Sequence, residues 1–189
     1  MAQSFCRKVD LFIVTATTHT GFHVPPPDTA ADTMKTDPFP LDVSSEQQPL
    51  LRHAETEAEL RACFDVMKQL RPALKDAEAL LAAVAVQGPQ GYRLLAAWRE
   101  GRPVALAGYR FLDNLIHGKF VYVDDLIACE SSRGEGLGER LLAYLRDLGR
   151  AGGCERLVLD TALSNSLAQR FYFRSGLLAR GLHFSMDLQ

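Results

Sequence analysis

Residues 131–140, SSRGEGLGER, decide how this chain is read. Gly134, Gly136 and Gly138 alternate there, between an apolar run, FVYVDDLIAC at 120–129, and a leucine-rich stripe that starts at Leu137. Glycine costs roughly 0.5–1 kcal/mol in a helix or strand interior, so three together call for an unusual backbone path or a ligand against the main chain. The segment falls at a strand-to-helix junction, where unpaired N–H groups and the helix dipole favour an anion. Phosphate is the expected guest. A Walker loop needs a lysine and a hydroxyl after its last glycine, but Glu139 and Arg140 follow Gly138. The dinucleotide fingerprint G-x-G-x-x-G, counted from Gly134, puts Glu139 where its third glycine belongs.

Outward from the loop, the flanking periodicities place it in an α/β domain. Leu137, Leu141, Leu142, Leu145 and Leu148 form a helical stripe that Gly152-Gly153 ends. A strand RLVLDTA, a helix NSLAQRFYFRSG and a strand-like tail LHFSMDL follow. Upstream, YRLLAAWR and RPVALAGYRF read as a hairpin turning at Glu100-Gly101, and DNLIHGK is the next turn. Before these come a short strand, PLLRHA, and a helix opened by the capping box Thr56–Glu59, with Leu60, Cys63, Phe64, Met67, Leu70 and Leu74 at helical spacing until Pro72 disturbs it. A second helix follows Asp76 through AEALLAAVAVQ and stops at Gly88-Pro89. The expected order is β-α-α-β-β-β-α-β-α-β, a mixed sheet in one α/β domain.

Composition bounds the remaining possibilities. The 189 residues are 47% hydrophobic and 23% charged, the balance of one globular domain with a short extension. A formal charge of −2 without a Lys/Arg block argues against a nucleic-acid partner. Cys6, Cys63, Cys129 and Cys154 form no C-x-x-C pair, so neither a zinc cluster nor a disulfide framework is expected, and a reduced cytoplasmic location follows by default. No apolar run approaches the roughly 18 residues of a membrane span. Residues 1–45, rich in Pro, Thr, Asp and Ser, read as a disordered leader, with LFIVTA as a short strand or an artefact and Met34 as an alternative start. The folded domain is expected over 46–189.

The loop matches R-x-x-G-x-G at Arg133, Gly136 and Gly138, and Asn165 to Tyr172, NSLAQRFY, matches N-x-x-A-x-x-F-Y. In both motifs and in element order, residues 50–188 resemble the GNAT superfamily of acyl-CoA-dependent N-acetyltransferases. The resemblance implies that fold, with a mixed, mostly antiparallel central sheet flanked by about four helices, and acetyl-CoA as co-substrate without a metal. It implies that the backbone of Arg133, Gly134, Glu135, Gly136, Leu137 and Gly138 cradles the CoA pyrophosphate. Leu126, Ile127 and Ala128 would pair with the pantetheine arm and lend an N–H to the developing oxyanion. Asn165 would bind near that arm, and Tyr172, a phenol of ordinary pKa about 10, would protonate the departing thiolate.

The base is read from Asp124 and Asp125, which interrupt an apolar strand at a cost of several kcal/mol unless paired or hydrogen-bonded. Neighbours on a strand point to opposite faces, so one of the two is expected to face the acceptor. The family's acidic strand places the base nine residues before the loop arginine, at Asp124. Asp125 would then bind the substrate cation or orient a loop. The alternatives are that either acid merely pairs with an arginine, or that a water relays the proton. His117 reads as a surface turn residue, His183 as packing or the border of the acceptor pocket, and Cys129, Trp98 and Tyr109 as packing. The first two helices border that pocket in the family, which brings Phe64, Met67 and Arg71 near the substrate, the first two more naturally as core. The expected reaction is direct acetyl transfer to a small cationic primary amine. A protein lysine or N-terminal acetyltransferase and a non-catalytic acyl-CoA-binding module are the rivals. Homodimers are common in the family, but no stretch of this sequence marks an interface.

Overall fold

The computed structural model describes residues 48–188, so the expected leader, LFIVTA and Met34 lie outside the described residues. Five strands form one sheet in sequence order: β1 (Leu50–His53), β2 (Arg93–Arg99), β3 (Arg102–Asn114), β4 (Gly118–Ala128) and β5 (Arg156–Leu159). The first four pair antiparallel and β5 joins β4 in parallel. The β2–β3 hairpin turns at Glu100-Gly101, both with positive φ (50° and 75°), the twist a two-residue turn of this kind needs.

The helices cover both faces. Thr56 and Glu59 form the capping box of α1 (Glu57–Ala62), and Asp76 caps α3 (Ala77–Gln87) by accepting from Ala79 N at 2.8 Å. The single helix expected after Thr56 is broken in two: the Cys63 N–H is shared between the Glu59 and Leu60 carbonyls, and α2 (Phe64–Leu70) restarts beyond it. This tightened turn aims Val66 and Met67 into a core with Leu94, Ala96, Trp98 and Leu106. On the opposite face, Leu137, Leu141 and Leu145 of α4 (Leu137–Ala151) close over Leu95, Ala97, Ala107, Val121 and Val123. The last helix is α5 (Ser166–Arg174). Among the described residues no helix is long and apolar enough to cross a membrane.

Two irregularities shape the site. Tyr109 opposes Val123 while Gly108 opposes Asp125, so Asp124 is the extra residue of a β-bulge. In addition, β4 pairs with β5 only over Phe120–Val123, while its ladder with β3 continues to Ala128. β5 thus ends at Leu159, opposite Val123, while β4 runs on to Ala128.

One expected element is missing. The tail LHFSMDL has the alternation of a strand, but residues 177–188 form no regular structure, and Leu182, Phe184, Met186 and Leu188 are all exposed. Alternation makes a strand only where a ladder partner and a buried face exist, and the described residues give this tail neither.

Candidate active site

The glycines of the loop divide into two kinds. Gly134 (φ 89°) and Gly136 (φ 75°) are left-handed, and a Cβ on either would meet nothing within 4 Å, so it is the backbone path that demands them. Gly136 is the N-cap of α4 and makes no side-chain capping bond, which leaves the first N–H groups of that helix to other partners. Gly138 is not left-handed: a Cβ there would lie 3.1 Å from Cζ of Phe171, so its bareness lets α5 press against the first turn of α4. Arg133 is exposed and extended, Leu137 is buried, and Glu135 is ion-paired with Arg99 at the end of β2, which holds its carboxyl below the usual range. Gln69 Oε1 accepts from Glu130 N at 3.0 Å and so ties α2 to the approach of the loop.

Leu126, Ile127 and Ala128 lie on the stretch of β4 beyond its pairing with β5, opposite Ala107, Leu106 and Ala105 of β3. On their other backbone edge no strand among the described residues pairs with them. Leu126 and Ala128 pack toward the α4 side and Ile127 toward the α1–α3 side.

The acidic pair is arranged differently from the strict alternation of a strand. The bulge lets both carboxylates reach partners on the α1–α3 side of the sheet. Arg110 donates to Asp124 from Nε (3.0 Å) and Nη2 (2.9 Å), and Nη2 also reaches Gln87 Oε1 of α3 at 3.1 Å. Arg71 donates Nε to Asp125 Oδ1 and Nη2 to the Asp124 carbonyl, both at 2.8 Å, and Tyr92 donates its hydroxyl to Asp125 Oδ2 at 2.8 Å. Burial raises the Asp124 carboxyl above its ordinary range and outweighs the opposing pull of Arg110. Tyr92 is held as a neutral phenol, raised chiefly by burial and then by Asp125.

Tyr172 sits on α5 with its ring 5.4 Å from that of Phe171, and burial raises its phenol. Asn165 is the N-cap of α5, its Oδ1 accepting from Ala168 N at 3.1 Å. His183 is exposed rather than packed, with Nδ1 3.2 Å from Asp160. Cys129, Trp98 and Tyr109 are buried as expected, and so is Met67.

Tyr92, Arg110 and Gln87 escape the sequence reading. A local signal for one of them exists: Gly108, alone inside a strand, marks a close approach. A Cβ there would fall 2.1 Å from the Tyr92 hydroxyl and 2.6 Å from Asp125 Oδ2.

Comparison with known proteins gives a consistent picture. Over 98 residues the chain is 30% identical to an aminoalkylphosphonate N-acetyltransferase of Salmonella typhimurium, covering 51% of this chain and 62% of that protein. Over 71 residues it is 28% identical to glucosamine 6-phosphate N-acetyltransferase 1 of Dictyostelium discoideum, covering 38% and 43%. The matches thus span less than two thirds of these relatives. An acetyltransferase from Trypanosoma brucei superposes with a TM-score of 0.62 at 23% identity, over 74% of this chain and 99% of its own. An aminoglycoside N-acetyltransferase solved with CoA superposes with a TM-score of 0.63 at 19% identity, over 72% and 93%. At such identities the likeness is one of fold. Residues 55–177 match the sequence profile of the Acetyltransferase (GNAT) family, and with well over half its length covered the chain belongs to that family.

Proposed function

We propose that the protein is an N-acetyltransferase that moves an acetyl group from acetyl-CoA to the primary amine of a small molecule in a ternary complex. The observation that carries this reading is the stretch of β4 that runs on past the end of β5, together with a loop at the start of α4 in which left-handed Gly134 and Gly136 have open space at their Cβ positions. An elongated thioester fits such a site: the pyrophosphate against the N–H groups of 133–138, the pantetheine amides along the free edge of Leu126, Ile127 and Ala128. The relatives act on small amines, by their names aminoalkylphosphonates and glucosamine 6-phosphate.

The residues divide the proton work. The acceptor amine, protonated in solution, must lose a proton before its lone pair can attack. Asp124, fixed by Arg110 and with a raised pKa, takes that proton directly or through a water. The nitrogen then attacks the thioester carbonyl, and a backbone N–H of the 126–128 segment stabilises the oxyanion. As the C–S bond breaks, Tyr172 protonates the departing thiolate, and the amide nitrogen, which carries an excess proton after attack, returns that proton to the Tyr172 phenolate directly or through solvent. Burial favours its neutral phenol and so keeps the proton available. Asp125 positions the acceptor through Arg71. Asn165 contributes by fixing the start of α5.

The test is CoA release from acetyl-CoA across a panel of small amines, amino acids, aminoglycosides and lysine peptides, with Tyr172→Phe alongside. Amine-dependent release that collapses in the variant is expected. Acetyl-CoA binding without turnover on any acceptor would favour a binding module, and turnover confined to peptides would move the acceptor to protein.

A further inference from the structure

The carboxylates of Asp124 and Asp125 meet two guanidiniums within the protein itself. Arg110 takes up Asp124, and Arg71 takes up Asp125 while also holding the Asp124 carbonyl. A polycation therefore finds little uncompensated negative charge at this point of β4.

The second of these pairs is lopsided. The Asp125 side chain is 11% exposed and that of Arg71 53%, so the carboxylate is turned inward and the guanidinium outward. Asp125 is further fixed from behind by the Tyr92 hydroxyl, in a space that exists only because residue 108 has no side chain. A guanidinium offers five N–H donors, and those on the exposed edge of the Arg71 fork are not spent on Asp125 or the Asp124 carbonyl. The planar fork, held by a buried carboxylate, is preorganised for an oxyanion. Its place is equally specific: Arg71 follows the last residue of α2 and bonds β4 at Asp124 and Asp125, directly after the last β4 residue that pairs with β5.

We propose that the acceptor is an amine that also carries a compact anionic group, a phosphonate, phosphate ester or carboxylate, and that Arg71 binds that group. This rests on the acetyltransferase reading and narrows its substrate class. The amine end lies toward Asp124 and the anionic end toward Arg71, which bonds the Asp124 carbonyl at 2.8 Å, so a short spacer joins the two ends.

A matched series of 2-aminoethyl compounds tests this, with phosphonate, carboxylate, hydroxyl or ammonium as the far group. The phosphonate and carboxylate members should exceed the hydroxyl member in kcat/KM by about 10- to 100-fold, the worth of a charge-assisted bond, and their order tells which oxyanion fits. Arg71→Gln should remove that advantage through KM, with Arg71→Lys intermediate. It should also raise activity on the ammonium member, because Asp125 is then uncompensated. A purely structural role for Arg71 would lower all four members together. Uniform loss, or a wild-type preference for the diamine, overturns the proposal. Should no member be acetylated, calorimetry of the same series on the CoA complex reads the same ranking, and no anion preference there overturns it as well. Failure of the wild-type protein to bind acetyl-CoA would instead sink the acetyltransferase reading. Melting curves of both variants accompany each measurement.

Discussion

From Phe120 to Val123, β4 is bonded on both sides, and Val121 and Val123 are sealed under α4. From Asp124 to Ala128 the same strand keeps, among the described residues, only its β3 neighbour, carries two carboxylates and is only partly buried. The first half satisfies every requirement of a sheet interior: branched side chains, two ladders and a helix on top. The second leaves a backbone edge and charged groups whose partners lie on other elements. Chemistry can be placed only where the scaffold stops satisfying itself. The β-bulge at Asp124 marks that boundary to the residue.

If the halves are as distinct as this, substitutions should sort by half. The largest effect is expected from Tyr172→Phe on α5, the proposed general acid: turnover should fall about 10²- to 10⁴-fold, with CoA affinity and melting temperature nearly unchanged. Wild-type turnover would remove Tyr172 from the mechanism. Leu141→Ala, in the lid over the closed half, should cost about 2–5 kcal/mol of unfolding free energy while leaving KM for acetyl-CoA alone. Val121→Ala should behave likewise at about 2 kcal/mol. A specific loss of CoA binding in either would erase the distinction.

Gly136→Glu should weaken CoA binding about tenfold or more, through like charge at the pyrophosphate, about 1.4 kcal/mol per decade. Gly136→Ala should show only left-handed strain, roughly 1–2 kcal/mol in stability. Equal affinity for both by calorimetry would refute the loop assignment. A subtler effect sharpens the role of Asp124. Its raised pKa puts the acidic limb of kcat/KM above the ordinary carboxylate value of 3.8, and Arg110→Met should move that limb higher still, because Arg110 opposes the shift. A limb that stays put would assign the proton transfer elsewhere.

The smallest effect lies far from both halves. Glu59 is lowered from 4.5 to about 2 by the Glu55 and Thr56 backbone N–H groups and by Arg52. Its contribution to stability is complete above 4.5 and is lost as pH falls toward 2. The gap in stability between wild type and Glu59→Gln should close across that window, and a gap independent of pH would deny the capping carboxylate its role.

What sequence could reveal follows from distance along the chain. The capping box, the Glu100-Gly101 turn and the glycine loop are each encoded within a few residues, and all three are present. The partners of the acidic pair are not local: Arg71 lies 54 residues from Asp125 and Tyr92 lies 33 from it. The bulge then defeated the alternation rule, which allows only one acid per face, by inserting a single residue opposite the Gly108–Tyr109 step. The terminal strand did not form for the converse reason, a correct local pattern without a neighbour among the described residues to complete it.

The contact between Gly138 and Phe171 binds the loop motif to the helix that bears Tyr172. In this chain, therefore, the loop and the helix bearing Tyr172 are packed as one unit. A methyl at 138 would make the Phe171 ring give way by a few tenths of an ångström beside Tyr172. In a double-mutant cycle, Gly138→Ala and Phe171→Leu should therefore couple, the double variant losing less turnover than the two single losses combined.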